Sequence, residues 1–183
     1  MAATPLTDSV SFDRRPLRTP DPMPSGARVI LLLTEDDLAP ETWQLKGVTV
    51  CGVALHRPES TGPNLSPPVR AFKTAAFADA HERAAAVWAV PVVPVHASDD
   101  LVTFAKSCGA ECALTAMAPV GYLKPNVDDL VTAAAVAGVA VRQLHRPWDA
   151  LFWPHAKAGF FQLKERIPAV LRALELAPEG TLL

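Results

Sequence analysis

The stretch RVILLLT, residues 28–34, decides the fold of this chain. Between Arg28 and Thr34 it is an unbroken run of valine, isoleucine and leucine, bounded by Gly26 on one side and by the polar TEDD on the other. A strand that is apolar at every position has no face left for water, which is typical of the centre of a parallel sheet. The stretch therefore predicts a central parallel strand.

Four further apolar runs repeat this composition and alternate with helical patterns. The predicted strands are residues 48–55, 90–96, 111–118 and 139–145, and the predicted helices are residues 77–89, 99–109 and 127–138. Short strands that alternate with helices form parallel βαβ units with right-handed crossovers. We therefore predict an α/β fold with a five-stranded, parallel, doubly wound sheet of order 3-2-1-4-5 and helices on both faces.

Two polar residues are placed to begin helices, and one segment is rich in turn residues. Ser98 and Asn126 are typical N-cap residues and are expected to cap the second and third helices. Residues 56–69 combine proline with serine, glycine and asparagine, which predicts a loop.

The chain divides into three parts by composition. Residues 1–26 mix five prolines with charges of both signs, which predicts a disordered leader, since such a segment cannot bury enough apolar surface to fold. A basic arm on DNA is the alternative, weakened because Asp8, Asp13 and Asp21 dilute the arginines. Residues 27–147 form the predicted α/β domain, and residues 148–183 an aromatic-rich extension with a helix.

Charge and hydropathy limit the partners and the cellular location that we expect for this chain. The formal net charge is −2, with both signs interspersed, so no strong field would draw the chain to nucleic acid or to an anionic membrane. No secretory signal begins the sequence, and no apolar run is long enough for a bilayer. Three cysteines without metal or redox spacing favour a reducing, cytoplasmic setting. We expect no membrane association and no direct nucleic-acid binding by this chain alone.

The common catalytic motifs are missing. Where a dinucleotide-binding protein carries G-x-G-x-x-G after its first strand, this chain reads TEDDLAP, whose acids would repel a phosphate. There is no P-loop and no nucleophile elbow, and the five histidines stand apart in the sequence. The sequence predicts neither catalytic residues nor metal ligands.

A ligand site is nevertheless expected where the strand order reverses. In an open parallel sheet, ligands bind at the carboxyl ends of the strands on either side of that reversal, here the first and fourth strands. The alternative is that these are plain loop residues around an empty crevice. The expected lining, with two histidines from neighbouring strand ends, is Thr34, Glu35, Asp36, Asp37, His96, Met117, Pro119, Gly121 and His145.

The segment after the fifth strand is unusually aromatic. Such a patch predicts docking on a partner domain or on a second copy of the chain. The alternative is that it folds back over the edge of the sheet. The predicted docking residues are Trp148, Phe152, Trp153, Phe160 and Phe161.

Three segments carry a family resemblance: LLLTEDDLAPE (31–41), LTAMAPVG (114–121) and RPWDALFWPHAKAGFFQLKERIP (146–168). Together they resemble the N-terminal α/β domain of the photolyase and cryptochrome family, in particular a bacterial photolyase-related branch with a TEEDLHPE-like segment after the first strand. The resemblance covers roughly residues 27–175. It departs from the family's usual opening, an aromatic residue followed by RRDLR.

The resemblance implies the antenna or structural half of a photolyase-like protein. Members hold FAD and read damaged DNA in a helical C-terminal domain, which this sequence does not contain. We therefore expect no bound FAD and no deoxyribodipyrimidine photo-lyase activity from this chain alone, while a folate- or flavin-type antenna pigment could bind beside the sheet. A flavin domain or a second copy is the expected partner. Two other classes stay open: a free-standing module for a small, nucleotide-like ligand, and an interaction module without a ligand.

Overall fold

The computed structural model describes residues 16–58, 65–157 and 159–176 and confirms the predicted fold. Five parallel strands form one sheet of order β3-β2-β1-β4-β5. The strands are β1 (Arg28–Leu33), β2 (Thr49–His56), β3 (Val92–Val95), β4 (Cys112–Ala116) and β5 (Ala140–Leu144).

Helices connect the strands and follow the last one. They are α1 (Pro67–Trp88), α2 (Ser98–Ser107), α3 (Lys124–Val136), α4 (Pro147–Phe152), α5 (Phe160–Lys164) and α6 (Ile167–Ala173). Single 3-10 turns occur at Pro40–Thr42 and Trp153–His155. None of the helices in the described residues is both long and apolar enough to cross a membrane.

β1 lies at the centre of the sheet and separates two apolar clusters. It pairs with β2 on one side and with β4 on the other. Ile30 and Leu32 face the cluster covered by α2 and α3, whereas Leu31 and Leu33 face the cluster that α1 covers. These side chains are at most 1% exposed, because helices cover both faces of the strand. The continuous apolar run follows from this double burial.

The close packing of α2 on β2 depends on Gly52. A Cβ atom at this position would lie 2.7 Å from Cζ of Phe104 and 2.9 Å from Sγ of Cys108. The side-chain hydrogen of glycine therefore lets the helix approach the strand at the point where the β1–β2 register shifts.

Both predicted N-caps are wrong. Ala97 is the N-cap of α2, and the carboxylate of Asp100 accepts hydrogen bonds from the backbone N–H groups of His96 and Ala97, at 2.9 and 3.2 Å. Asn126 lies inside α3, where its Oδ1 is 2.5 Å from Nε2 of the buried His56. The carboxylate of Asp100 thus caps α2, whereas the N-cap of α3 is Leu123, without a hydrogen bond from a side chain.

The loop predicted for residues 56–69 is shorter than expected. α1 begins at Pro67, with Pro67 and Pro68 in its first turn, where a proline leaves no hydrogen bond unmade. Residues 59–64 of the predicted loop lie outside the described residues.

The last residues of the predicted leader lie along β5. The backbone N–H of Asp21 donates to the carbonyl of Gln143 at 2.9 Å, and the N–H of Gln143 donates to the Asp21 carboxylate at 2.7 Å. Arg18 donates to the side-chain oxygen of Gln143 at 3.1 Å. These bonds cover the edge of β5 that would otherwise be open to another strand. Residues 1–15 of the predicted leader lie outside the described residues.

Candidate functional site

A cavity of about 500 Å³, which we call the crevice, lies at the carboxyl ends of β1 and β4. It lies where the strand order reverses, since the chain continues from β1 to β2 on one side and from β4 to β5 on the other. Its wall is formed by Thr34, Asp36, Asp37, Leu38, Ala39, Ala116, Met117, Ala118, Pro119, Arg146, Trp148, Asp149 and Trp153.

Asp37 is the structural anchor of the crevice. Its backbone N–H donates to the carbonyl of Thr34 at 3.0 Å, which closes a turn directly after β1. Its carboxylate accepts from the N–H of Ala39 at 3.2 Å and from the indole Nε1 of Trp43 at 3.1 Å. The side chain is 10% exposed.

The same carboxylate pairs with Arg146, which follows β5. Nε of Arg146 donates to Oδ2 of Asp37 at 2.7 Å, and its Nη2 donates to Oδ1, so the pair is bidentate. Nη2 also donates to the carbonyl of Ala39 at 3.3 Å. Planar bidentate pairs of this type are strong and directional. The turn after β1 is thereby tied to the end of β5 across the end of β4.

Two further carboxylates on the wall have no such partner. The five ion pairs of the described residues involve Glu35, Glu41, Asp79, Asp128 and Asp37, and neither Asp36 nor Asp149. Burial raises the pKa of Asp36, and the neighbouring Glu35 adds to the shift. Burial also raises the pKa of Asp149, against the opposing effect of Arg146. Both carboxylates are thus less well solvated than a surface carboxylate.

Tryptophan side chains form the aromatic side of the crevice. Trp148 is 47% exposed, and its ring packs on Phe152 at a centroid distance of 4.4 Å. Trp153 makes an edge contact with His145 at 5.1 Å. Nε2 of His145 lies 2.8 Å from Sδ of Met117, which itself lies on the wall. His145 therefore supports the wall from behind.

A smaller cavity of about 260 Å³ adjoins the crevice and shares Ala116 and Arg146 with it. The leader residues Pro20, Asp21 and Met23 close its outer side. The hydrogen bonds between the leader and β5 thus hold these leader residues in place beside Arg146.

The structure brings five of the nine predicted ligand residues together on the crevice wall, namely Thr34, Asp36, Asp37, Met117 and Pro119. Glu35 turns toward α1, where it pairs with Lys73 at 2.7 Å. Gly121 is exposed and is not part of the wall, and His145 lies behind it. His96 lines a separate cavity of about 250 Å³ together with His56 and Asn126.

Sequence reasoning missed Arg146 and Asp149 as site residues. Both follow β5, the neighbour of β4, so their segment reaches the crevice from the side. Their position directly after the predicted fifth strand could have indicated that they lie near the crevice. Trp148 and Trp153 were predicted for docking, and they also line the crevice.

The predicted docking residues differ in exposure. Phe160 and Phe161 are 63% and 79% exposed, whereas Phe152 is 9% exposed. The two exposed rings contact each other at 5.9 Å on the short helix α5. The docking segment therefore contains both a packed part and an open part.

Comparisons with models of protein families, with curated proteins and with solved structures gave no match. Among the described residues, no group of three or more histidine, cysteine, aspartate or glutamate side chains is placed to hold a metal ion.

The Asp37–Arg146 pair should contribute measurably to stability. Asp37→Asn leaves the guanidinium of Arg146 without its charged partner, and we expect a loss of about 1–3 kcal/mol in the free energy of unfolding. In a double-mutant cycle with Arg146→Met, measured by urea unfolding, the coupling energy should exceed about 1 kcal/mol.

The half-buried i,i+4 pair of Lys124 and Asp128 on α3 is the matched control for this cycle. Such a helix-surface pair couples by about 0.3–0.5 kcal/mol. A coupling between Asp37 and Arg146 no larger than this control would show that the pair does not tie the two strand ends together.

Proposed function

We propose that this chain is the α/β half of a photolyase-like protein and that it holds a small, planar antenna ligand in the crevice. One observation carries the proposal. Every residue on the crevice wall belongs to one of the three segments that carry the family resemblance, residues 31–41, 114–121 and 146–168. Segments far apart in the chain thus meet at one cavity.

The size and composition of the crevice support binding of a small molecule. Ligand cavities are typically about 300–1,000 Å³ and combine apolar walls with a few polar groups. The crevice has this volume, with Leu38, Met117 and the two tryptophans among its apolar groups. Indole rings bind planar ring systems well, because stacking needs only a flat π surface.

The function proposed for this chain excludes repair. We propose that FAD binding and dimer reversal belong to a separate helical domain, because residues 1–183 contain none of the common catalytic motifs. A free-standing module for a nucleotide-like ligand would use the same crevice. Absorption of near-ultraviolet or blue light by a bound ligand favours the antenna function over that alternative.

We predict that freshly purified protein carries no stoichiometric FAD, shows no light-dependent reversal of pyrimidine dimers, and binds riboflavin or a reduced folate at the crevice. Trp148→Leu should weaken binding of the preferred pigment by about fivefold to tenfold, since an aromatic contact is lost. Fluorescence titration measures the affinity.

Phe72→Leu is the matched control, because Phe72 is an exposed aromatic residue on α1 that does not line the crevice. Retention of FAD after desalting, or pigment binding that is unaffected by Trp148→Leu, would contradict the proposal.

We also propose that the open part of the aromatic segment docks on a partner, either a flavin domain or a second copy of this chain. The observation that favours this is the exposure of Phe160 and Phe161 on a helix of only five residues. Two adjacent exposed phenylalanines are costly in water unless something covers them.

We predict that replacing Phe160 and Phe161 by serine abolishes self-association without changing the free energy of unfolding by more than about 0.5 kcal/mol, because both side chains are exposed. Phe152→Ser is the control. Because this ring is buried, the substitution should lower the free energy of unfolding by about 3 kcal/mol or more. Analytical ultracentrifugation and urea unfolding measure the two effects. Sedimentation of the unmodified protein as a monomer at high concentration would contradict docking on a second copy.

A further inference from the structure

We propose that the crevice takes its ligand by a positively charged planar ring, that is, a protonated or N-alkylated nitrogen heterocycle, and not by a phosphate or carboxylate group. The inference rests on the proposed role of the crevice as the ligand site and specifies the chemistry of the group that enters it. Its basis is the charge, the aromatic surface and the polar groups of the wall.

The wall carries an uncompensated negative charge. It contains the carboxylates of Asp36, Asp37 and Asp149 against the single guanidinium of Arg146, a formal charge of −2. Arg146 is already bound to Asp37 in bidentate geometry. An anionic group would therefore meet two carboxylates that form no ion pair, and the guanidinium on the wall is already paired with Asp37. A cation would pair with both carboxylates in a partly desolvated site, where charge pairs are stronger than in water.

The fold neutralises the neighbouring acids and leaves those of the crevice free. Glu35, next to Asp36 in the chain, pairs with Lys73 on α1 at 2.7 Å. Glu41, on the turn after the same strand, pairs with Arg83. The cations of α1 thus bind the acids that point away from the crevice. Asp36 and Asp149 form no ion pair and both line the crevice, and Asp36 also lines the neighbouring cavity that contains Lys73.

The aromatic residues of the wall fit the same ligand. A cation over the face of an indole ring is attracted by the negative face of the π system, and tryptophan is the strongest partner of this kind. Trp148 and Trp153 both lie on the wall, beside Asp149 in the chain. A flat cation can therefore stack on indole while its charge remains close to a carboxylate.

Thr34 adds a polar group at the end of β1. It is 4% exposed and lies on the crevice wall. Its backbone carbonyl accepts a hydrogen bond from the N–H of Asp37 at 3.0 Å. A threonine hydroxyl group can also accept a hydrogen bond, so the wall offers an acceptor for an N–H group of a protonated ring.

The pH dependence of binding follows from the two free carboxylates. The pKa values of Asp36 and Asp149 are raised, mainly by burial, so these groups become protonated at a higher pH than ordinary carboxylates. Protonation removes the negative charge that holds the cation. Affinity for the cation should therefore be full at neutral pH and fall as the pH is lowered, beginning above the usual range for aspartate.

The test compares two ring systems of similar shape and opposite charge, 1-methylquinolinium and 2-naphthoate, by isothermal titration calorimetry at neutral pH. We expect the cation to bind and the anion to show no measurable binding. Asp36→Asn and Asp149→Asn should each lower the affinity for the cation by about tenfold, the loss typical of one contact to a charged group. Asp129→Asn, an exposed acid of α3 outside the crevice, should change nothing.

Two results would overturn the inference, and they differ in what they say of the proposed function. Binding of 2-naphthoate that Trp148→Leu weakens but Asp36→Asn and Asp149→Asn do not would keep the crevice as the ligand site and exclude a cationic ligand. Cation binding that Trp148→Leu, Asp36→Asn and Asp149→Asn all leave unchanged would place the ligand elsewhere, and would remove the proposed site as well.

Discussion

The structure depends on one constraint: β1 must be hydrogen-bonded on both edges and covered on both faces. Pairing with β2 and β4 places it at the centre, and the side chains of Leu31 and Leu32 then enter opposite apolar clusters. Because the chain continues to different sides from β1 and β4, no connection crosses the gap between their carboxyl ends. The crevice is therefore a consequence of the strand order and not of any particular loop.

The loops determine what the crevice can bind. Asp37 and Arg146 link the segments after β1 and β5. Their ion pair neutralises Arg146, the one cation on the wall. Two tryptophans and two unpaired carboxylates remain. A site built in this way combines an aromatic surface with negative charge, which differs from the glycine-rich turn and helix N-terminus that bind a pyrophosphate. TEDDLAP lacks the dinucleotide fingerprint, and the wall of the crevice is negatively charged. Both features disfavour binding of a phosphate.

Much of this fold follows from the sequence, because strands buried on both faces leave unmistakable apolar runs such as residues 28–34. The ends of helices do not follow as well. Ser98 and Asn126 are residue types typical of N-caps, but the N-caps are Ala97 and Leu123, and Asn126 contacts the buried His56 instead. The crevice was predictable where it depends on β1 and β4. The part contributed by Arg146 and Asp149 was not, because it depends on how the segment after β5 turns over the end of β4. His96 follows β3, two strands from β1, so topology keeps it outside the crevice.

The central claim is that a ligand binds at the strand-order reversal, and the four tryptophans of the chain allow a direct measurement. In ¹H–¹⁵N spectra of labelled protein, each indole N–H gives its own signal, which can be followed during titration with 1-methylquinolinium. The account predicts that the signals of Trp148 and Trp153, on the crevice wall, shift together and saturate, while that of Trp88, at the end of α1, stays in place. Saturable binding that shifts Trp88 and leaves Trp148 and Trp153 unmoved would contradict it.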